Sequence, residues 1–352
     1  MGKNLILLAA SVGMALLLGE WALRLFYEVP PIWQEPQLKH LESPLLGWVQ
    51  PANSRSFSID APVSINSAGL RDDEIPREKP DGEIRILALG DSFTFALGVR
   101  HEDIWAQQLE RILNERQAPQ RFQVINAGVA GYNTRQELIY LLHEGYSWDP
   151  DLIIVGFYWN DLIGNEPALP ALDSTPRVAP GAAIREERSD HVLPPWIRDS
   201  LRQSLVFYLP ATRAQQVWHM LDPPGDRASG VQHAILTGDE VFLEPYWLAT
   251  ETRLLEISRS GKDRGIPVLL LVFPMENLVK RSDPGVAFVG RLRRIWEPTG
   301  MPLVDVAPAY ADARSRGGNP FQPYDLHPNA SGMKIAAELV YQALRDRSLF
   351  VR

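Results

Sequence analysis

Strand-forming residues lead directly into a Gly-Asp-Ser turn in the stretch Ile84-Arg85-Ile86-Leu87-Ala88-Leu89-Gly90-Asp91-Ser92-Phe93-Thr94. An apolar run that ends abruptly before a helix-like segment is typical of a strand-to-helix turn in a parallel α/β sheet. The carboxyl ends of such strands form the crevice in which ligands bind, so Ser92 lies where a nucleophile can be displayed. Taken alone, a Gly-Asp-Ser turn is more often a plain turn and helix N-cap than a catalytic site.

Three further signals follow in order, each near an apolar strand pattern or the end of the chain. The strand pattern Phe122–Asn126 runs into Gly128, the pattern Asp151–Phe157 runs into Asn160, and His327 stands near the C-terminus. A serine, donors that can stabilise an oxyanion, and a histidine are the parts of an acyl-transfer site. The order of these residues favours catalysis over a chance turn.

These four blocks resemble the SGNH hydrolases of the GDSL type, which carry Ser, Gly, Asn and His in this order. The resemblance spans roughly residues 84–345. It is closest to the membrane-anchored bacterial branch of the family, through Ile65-Asn66-Ser67-Ala68-Gly69-Leu70-Arg71-Asp72 and Asn126-Ala127-Gly128-Val129-Ala130-Gly131-Tyr132.

The resemblance implies a role for each of the four residues. Ser92 is the implied nucleophile and His327 the implied general base. The implied oxyanion hole consists of the main-chain N–H groups of Ser92 and Gly128 and the side-chain amide of Asn160. The implied fold is a three-layer α/β/α sandwich around a flavodoxin-like parallel sheet.

Two positions depart from the family pattern. Tyr158 stands where the family has a glycine, and Tyr324, instead of an aspartate, stands three places before His327. Asp325 precedes His327 by two residues, and residues two apart in an extended segment project to the same side. Asp325 can therefore reach Nδ1 of the imidazole and orient it as the acid of the triad. The alternatives are a main-chain carbonyl or Asp305.

The acidic neighbours of the site residues have a structural interpretation. An amide N–H₂ group can donate to a developing oxyanion, whereas a carboxylate at the same place would repel it. Asn160 is therefore assigned to the oxyanion hole, and Asp161 to an Asx-turn or helix cap. Asp91 is expected to point back and brace the Gly-Asp-Ser turn.

Composition excludes several functional classes. The chain has 352 residues, 45% of them hydrophobic, and a net charge of −8 with dispersed basic residues, which disfavours a nucleic-acid partner. The absence of cysteine leaves no disulfide framework and no thiolate metal site. The sequence contains no HExxH pattern, no G-x-G-x-x-G fingerprint and no P-loop, so neither a metal nor another cofactor is predicted.

The N-terminus carries an apolar segment of membrane-spanning length. Lys3 precedes the run Leu5–Gly19, which Trp21 to Tyr27 extend, and about 20 apolar residues are needed to cross a bilayer. No A-x-A-like site follows, and Glu20 and Arg24 can pair across one helical turn. We expect residues 1–28 to be a retained signal anchor with the catalytic part exported. A cleaved signal peptide and a buried cytoplasmic helix are the alternatives.

The rest of the chain divides by composition. Residues 29–83 are proline-rich and polar, which indicates a stalk or a lead-in packed along the domain. Residues 84–352 alternate strand and helix patterns, with helices at about 104–115, 134–144 and 330–345, as in an α/β domain. Within this domain, residues 165–244 break the pattern after the third strand. This insertion is predicted to be a cap that shapes the pocket, a membrane-proximal packing element or a disordered linker.

The sequence thus predicts a membrane-anchored serine esterase that acts on an O-acyl or O-acetyl group, with a carbohydrate as the favoured substrate. Trp159, beside Asn160, has the amphipathic character that suits stacking on a sugar. One alternative is an O-acyltransferase for envelope or secreted polysaccharide, which would use the same residues. An alternative of another class is a catalytically idle polysaccharide-binding or assembly module.

Overall fold

Parallel pairing of apolar strands builds the central sheet. The computed structural model describes residues 2–172, 175–179, 181–185, 195–221, 227–279, 282–323 and 325–347. Its strands are β1 (Leu41–Ser43), β2 (Gly47–Val49), β3 (Ser54–Ser58), β4 (Ala61–Ile65), β5 (Glu83–Gly90), β6 (Arg121–Asn126), β7 (Leu152–Phe157), β8 (Val268–Val272) and β9 (Leu303–Asp305). The order β6-β5-β7-β8-β9, parallel throughout, confirms the predicted flavodoxin-like sheet.

Helices connect and flank these strands. They are α1 (Gly2–Arg24), α2 (Ser92–Phe95), α3 (Trp105–Arg116), α4 (Thr134–His143), α5 (Pro195–Arg202), α6 (Leu205–Leu221), α7 (Arg227–Thr237), α8 (Glu240–Asp263), α9 (Glu276–Val279), α10 (Ser282–Trp296), α11 (Ala307–Ser315) and α12 (Ala330–Asp346). α3 packs against α12, and α4 packs against α8. Because β5 to β6 and β6 to β7 are right-handed crossovers in opposite directions, α3 and α4 cover opposite faces of the sheet.

Burial on both faces explains the composition of the sheet strands. Every residue of β7 and of β8 is buried. Strands covered on both faces are near-continuous apolar runs, which is the pattern that β5, β7 and β8 show. The polar residues that follow these strands, Asp91-Ser92 after β5 and Asn160-Asp161 after β7, therefore mark where the chain leaves the core toward the crevice.

The segment before β5 packs as part of the catalytic fold. β1 pairs with β2 and β3 with β4 as antiparallel hairpins. After β4, Asn66 Oδ1 accepts the N–H groups of Ala68 and Leu70 at 3.0 and 2.9 Å, which closes a tight turn. Residues from Gln34 onward belong to the same compact unit as the central sheet.

The described residues fall into two compact units. One lies within residues 1–33 and 186–225, and the other within 34–185 and 226–352. The predicted insertion 165–244 is therefore divided between them. α5 and α6 belong to the first unit, whereas α7 belongs to the second, where it buries Val231, Ala234 and Ile235.

The first unit contains an apolar helix. Among the described residues, Lys3–Arg24 is the one helical segment that is long and apolar enough to cross a membrane, and none of it is buried. A signal sequence at the N-terminus has the same properties.

Candidate active site

The turn after β5 displays Ser92 at the start of α2. Asp91 caps this helix, because its Oδ1 accepts the Phe93 N–H at 2.8 Å, so Asp91 braces the turn as expected. Gly90 has a φ of 152°, and a Cβ at this position would lie 2.1 Å from Oγ1 of Thr94. Only glycine, which has no Cβ, both adopts this φ readily and leaves room for the Thr94 side chain. A glycine is therefore required before Asp91.

The structure brings Ser92 and His327 together from opposite ends of the domain. Ser92 Oγ lies 2.8 Å from His327 Nε2. The other ring nitrogen, Nδ1, is in hydrogen-bond contact with Oδ1 of Asp325, and the same oxygen accepts the His327 main-chain N–H at 2.8 Å. The two-residue spacing thus places Asp325 on the imidazole. Tyr324 lies outside the described residues.

Asp305, the alternative acid, makes other contacts. Its Oδ1 accepts the Ala307 N–H at 3.0 Å, and its Oδ2 lies 4.0 Å from an Arg293 nitrogen. Asp325 is therefore the carboxylate that the structure places on the histidine. Burial opposes ionisation of Asp325, but the hydrogen bonds and charge of His327 outweigh it and hold the pKa of Asp325 below its ordinary value. The Asp325 carboxylate is ionised at neutral pH and suited to orient the ring.

Gly128 packs directly on the helix that carries Ser92. A Cβ at Gly128 would lie 2.4 Å from the Phe95 nitrogen and 2.6 Å from the Thr94 carbonyl carbon. The chain after β6 can approach the nucleophile this closely only with a glycine. The Gly128 N–H donates to Oδ1 of Asn126 at 3.0 Å, so an oxyanion would share this donor with Asn126.

Asn160 lies in the 3₁₀ turn Trp159–Leu162 after β7, near the nucleophile turn. Its side chain is hydrogen-bonded to Asp91, and its Oδ1 is buried without a partner among the described residues. An amide has two N–H bonds, so one remains for a further acceptor while the other is held by Asp91. Asp161 has the predicted turn role, because its Oδ2 accepts the Tyr158 N–H at 2.7 Å.

Three carboxyl groups are buried behind this turn. Burial, reinforced by repulsion from Asp91, raises the pKa of Glu137 well above its ordinary value. Burial, reinforced by repulsion from Glu137 and Asp91, does the same to the pKa of Asp161. Burial also raises the pKa of Asp91, against the opposing effect of the Phe93 N–H, His327 and Asn160. Burial thus disfavours negative charge on Glu137 and Asp161, close to the place where an oxyanion would form.

Tyr158, at the position where the resembling family has glycine, joins an aromatic cluster beside the histidine. Its ring centroid lies 3.8 Å from that of Phe93, and the Phe93 centroid lies 4.8 Å from that of His327. The buried Tyr158 hydroxyl has no hydrogen-bond partner among the described residues, and burial raises its pKa. The departure from the family pattern thus fills space next to the nucleophile with a phenol ring.

Two residues that support the site are absent from the predicted site. Arg71 is buried and donates to the carbonyl groups of Phe95 and Ala96 at 2.8 and 2.6 Å, just after α2. Asp72 accepts the Asn126 N–H at 2.8 Å, at the end of β6. Burial raises the pKa of Asp72 to about 8. The signal in the sequence was the charged pair directly after the Asn66 turn.

The part of the chain that contains these residues also matches a family of known sequences. A model of the GDSL-like lipase/acylhydrolase family matches residues 88–335, which are more than half of the chain and include Ser92, Gly128, Asn160 and His327. Together with the fold, this match defines a hydrolase of the esterase or acylhydrolase class. The chain belongs to the GDSL-like lipase/acylhydrolase family. No curated protein matches it.

Solved structures of esterases resemble the chain at low sequence identity and low TM-score. The psychrotrophic esterase EstA from Pseudoalteromonas sp. is 14% identical, with a TM-score of 0.42 over 75% of this chain and 98% of that chain. The acetylxylan esterase Axe2 from Geobacillus stearothermophilus is 14% identical, with a TM-score of 0.44 over 74% and 94%. A two-domain esterase active on acetylated mannans is 16% identical, with a TM-score of 0.43 over 75% and 50%. Likenesses at this level say nothing about the substrate of this chain.

Proposed function

We propose that the protein is a serine esterase that removes an O-acyl group, in particular an O-acetyl group, from a carbohydrate. The observation that carries the proposal is the 2.8 Å separation of Ser92 Oγ and His327 Nε2, with Asp325 on the opposite ring nitrogen. A hydroxyl, an imidazole and a carboxylate in this sequence of contacts are the groups that nucleophilic acyl transfer requires.

The proposed reaction proceeds in two steps, acylation of Ser92 and hydrolysis of the acyl-enzyme. Ser92 Oγ forms a bond to the ester carbonyl carbon while His327 Nε2 takes the hydroxyl proton, and the carbonyl electron pair moves onto oxygen. The tetrahedral intermediate collapses with cleavage of the bond to the alcohol oxygen, which receives the proton from His327. Water then attacks the acyl-enzyme with His327 again as base, and the carboxylic acid and free Ser92 result. Asp325 stabilises the imidazolium in each step.

Three donors are proposed to hold the oxyanion. The Ser92 N–H is the first in α2 and has no acceptor within the helix. Asn160 can offer its second N–H bond, and the Gly128 N–H, which donates to Asn126, would exchange that acceptor for the oxyanion. One such donor contributes about 3–4 kcal/mol to transition-state stabilisation in a well-studied serine protease. The raised pKa values of Glu137 and Asp161, which disfavour negative charge behind the turn, support this use of it.

The carbohydrate part of the proposal is supported by Trp159. Its side chain is partly exposed beside Asn160, while its Nε1 is buried. The exposed part of the indole offers a flat apolar face on which a sugar ring can stack.

Hydrolysis by the full-length protein in detergent tests the proposal. We expect release of p-nitrophenol from p-nitrophenyl acetate and of acetate from an acetylated oligosaccharide, with both rates lost in Ser92→Ala. Asp325→Asn should retain binding of a fluorophosphonate probe to Ser92 at a much lower rate, since its orienting charge is removed. Equal activity of the parent and Ser92→Ala would overturn the serine mechanism. Transfer of acetyl to an added oligosaccharide in place of water would identify an acyltransferase.

We further propose that α1 is retained as a membrane anchor and that the catalytic unit is exported. Lys3 at the start of an otherwise apolar helix supports this orientation. Mass spectrometry of the protein extracted from its native membranes should find residues 1–28 still attached, and protease added outside the membrane should digest the catalytic unit. A mature N-terminus beyond residue 20 would overturn retention.

A further inference from the structure

Aromatic side chains gather at one end of the apolar helix α1. Between residues 5 and 19 this helix contains aliphatic and small residues and one methionine, and no aromatic residue. Trp21, Phe26 and Tyr27 follow, and their exposed fractions are 65%, 81% and 49%. Tryptophan and tyrosine are enriched where a membrane-spanning helix meets the headgroup region, because their rings are amphipathic. The end of α1 near Trp21 thus has the composition of a membrane–water interface.

Helix α6 begins at this same end of α1. The Glu20 carboxylate accepts the Ser204 hydroxyl at 2.9 Å and the Val206 N–H at 3.1 Å, so it caps the first turn of α6. Arg24 donates to Glu20 at 2.8 Å and to the Gln203 carbonyl at 2.9 Å. The contacts fix the N-terminus of α6 beside the last turn of α1.

The Glu20 contacts also explain how a carboxylate is tolerated on an apolar helix. A charged group near hydrocarbon is costly unless it is paired and hydrogen-bonded. Glu20 is paired with Arg24 and lies at the positive end of the α6 dipole. A carboxylate compensated in this way can lie at the boundary of the hydrocarbon, whereas an unpaired one would be driven into water.

The exposed surface of α5 and α6 is partly apolar. Phe207, in the first turn of α6, is 50% exposed, and Leu201, in α5, is also exposed. Arg202 places its guanidinium 5.1 Å from the ring of Trp33, which is itself partly exposed. Exposed aromatic rings interleaved with arginine are suited to lipid headgroups, because arginine can reach phosphate while its stem stays on apolar surface.

We propose that residues 21–33 and 195–214 form an interfacial collar that lies in the headgroup region of a lipid bilayer around the end of α1. The partner is the bilayer itself, because the exposed rings continue directly from a helix that has the length and composition to cross it. The proposal rests on the membrane anchoring proposed above. It assigns the α5–α6 part of the insertion to membrane contact, which a pocket-forming cap would not require.

Depth-dependent fluorescence quenching tests the collar in the full-length protein. The chain lacks cysteine, so a single introduced cysteine carries the only thiol-reactive dye. We would label Phe207→Cys, Val12→Cys in the middle of α1, and Glu115→Cys on the exposed face of α3, each in nanodiscs with one copy per disc. The discs would contain phospholipid with a spin label either near the headgroup or deep in the acyl chain.

The expected pattern differs at the three positions. The dye at Phe207 should be quenched at least about twofold more by the shallow label than by the deep label, and the dye at Val12 should show the reverse. The dye at Glu115 should be quenched by neither. A cooperative thermal transition equal to that of the parent shows that each variant is folded.

Two outcomes would overturn the collar, and they are distinguishable from failure of the anchor. Quenching at Val12 but none at Phe207 would leave α1 in the membrane and place α6 in water. The dye at position 207 could instead be shielded from water only when each disc holds two copies. That result would identify a second copy of the chain as the partner. Absence of deep quenching at Val12 would overturn the anchor, and the collar with it.

Discussion

Arg71 donates to the main-chain carbonyl of Phe95 at 2.8 Å, and its guanidinium also lies 4.7 Å from the centroid of the Phe95 ring. The same guanidinium donates to the carbonyl groups of Ala96 and Val99. These carbonyls lie at the end of α2 and just after it, and the first residue of α2 is Ser92. A side chain from the lead-in therefore holds the far end of the helix that presents the nucleophile.

We expect Arg71→Met to reduce both stability and activity. The substitution leaves the carbonyl groups of Phe95, Ala96 and Val99 without their buried donor, and an unsatisfied buried acceptor costs about 1–3 kcal/mol. The free energy of unfolding should fall by about 2–4 kcal/mol, since relaxation will recover part of the loss. The kcat should fall because α2 is less well held. Urea denaturation and p-nitrophenyl acetate hydrolysis measure the two effects.

Arg111→Met is the matched control for this substitution, because Arg111 is exposed on α3. A surface substitution of this kind should change the free energy of unfolding by no more than about 0.5 kcal/mol. An equal loss in the two variants, or no loss in Arg71→Met, would contradict the structural role of Arg71.

The sequence predicted those features that depend on local pattern. The strands at β5, β6 and β7 follow from apolar runs that end on glycine or polar residues, and the contact of Asp325 with His327 follows from a two-residue spacing. The contacts of Arg71 lie 24 to 28 residues away along the chain, and no local pattern specifies them. They are set by how the lead-in packs on the sheet.

The orientation of the predicted oxyanion donors likewise could not be predicted from the sequence. Family resemblance selected Gly128 and Asn160, but the Gly128 N–H donates to Asn126, and Asn160 is hydrogen-bonded to Asp91. Both contacts depend on side-chain rotamers within a packed interior. The pairing of α6 with Glu20 also joins parts of the chain that are 184 residues apart, so the composition of the insertion left its role open.

Gly128→Ala should disrupt the site for a steric reason. The added Cβ would lie 2.4 Å from the Phe95 nitrogen and 2.6 Å from the Thr94 carbonyl carbon, and both atoms belong to the main chain around α2. Because main chain cannot move aside as a flexible side chain can, we expect a loss of about 1–3 kcal/mol in stability. The kcat should fall by more than about tenfold, since relief of the clash displaces Ser92.

Gly290→Ala provides the control for the glycine substitution. Gly290 lies within α10, and the nearest atom to a Cβ added there would be an Arg294 side-chain nitrogen at 3.8 Å. Alanine is favoured over glycine inside a helix by up to about 1 kcal/mol, so this variant should be as stable as the parent or more stable. Full activity of Gly128→Ala would show that the chain after β6 does not constrain the nucleophile.

Two substitutions of Tyr158 separate its ring from its hydroxyl. Tyr158→Phe keeps the stack on Phe93 and removes a buried hydroxyl that has no partner among the described residues. Its free energy of unfolding should be unchanged or higher by about 1 kcal/mol. Tyr158→Ala removes the ring and should cost about 3–5 kcal/mol, as large aromatic truncations do. A loss above about 2 kcal/mol in Tyr158→Phe would show that the hydroxyl is bonded in solution.

Glu110 should make stability depend on pH. Its Oε2 accepts the Gln123 amide and the Val124 N–H, each at 2.8 Å, between α3 and β6. Burial raises the pKa of Glu110 to about 7, and the charges of Asp73 and Glu83 add to this effect against the Val124 hydrogen bond. The ordinary pKa of the group is 4.5. Between these values the folded protein binds more protons than the unfolded chain, so the Glu110 contribution is present below about pH 4.5 and is lost as the pH rises through about 7.

Glu110→Gln tests this linkage because its Oε1 can accept both hydrogen bonds but does not titrate. We expect the free energy of unfolding of the parent, relative to that of the variant, to fall by on the order of 1–3 kcal/mol between about pH 5 and pH 8, since one unit of pKa corresponds to about 1.4 kcal/mol. Glu115→Gln, at an exposed position of the same helix, supplies the reference. Urea denaturation at several pH values gives the difference, and a difference that stays constant or rises with pH would contradict the raised pKa of Glu110.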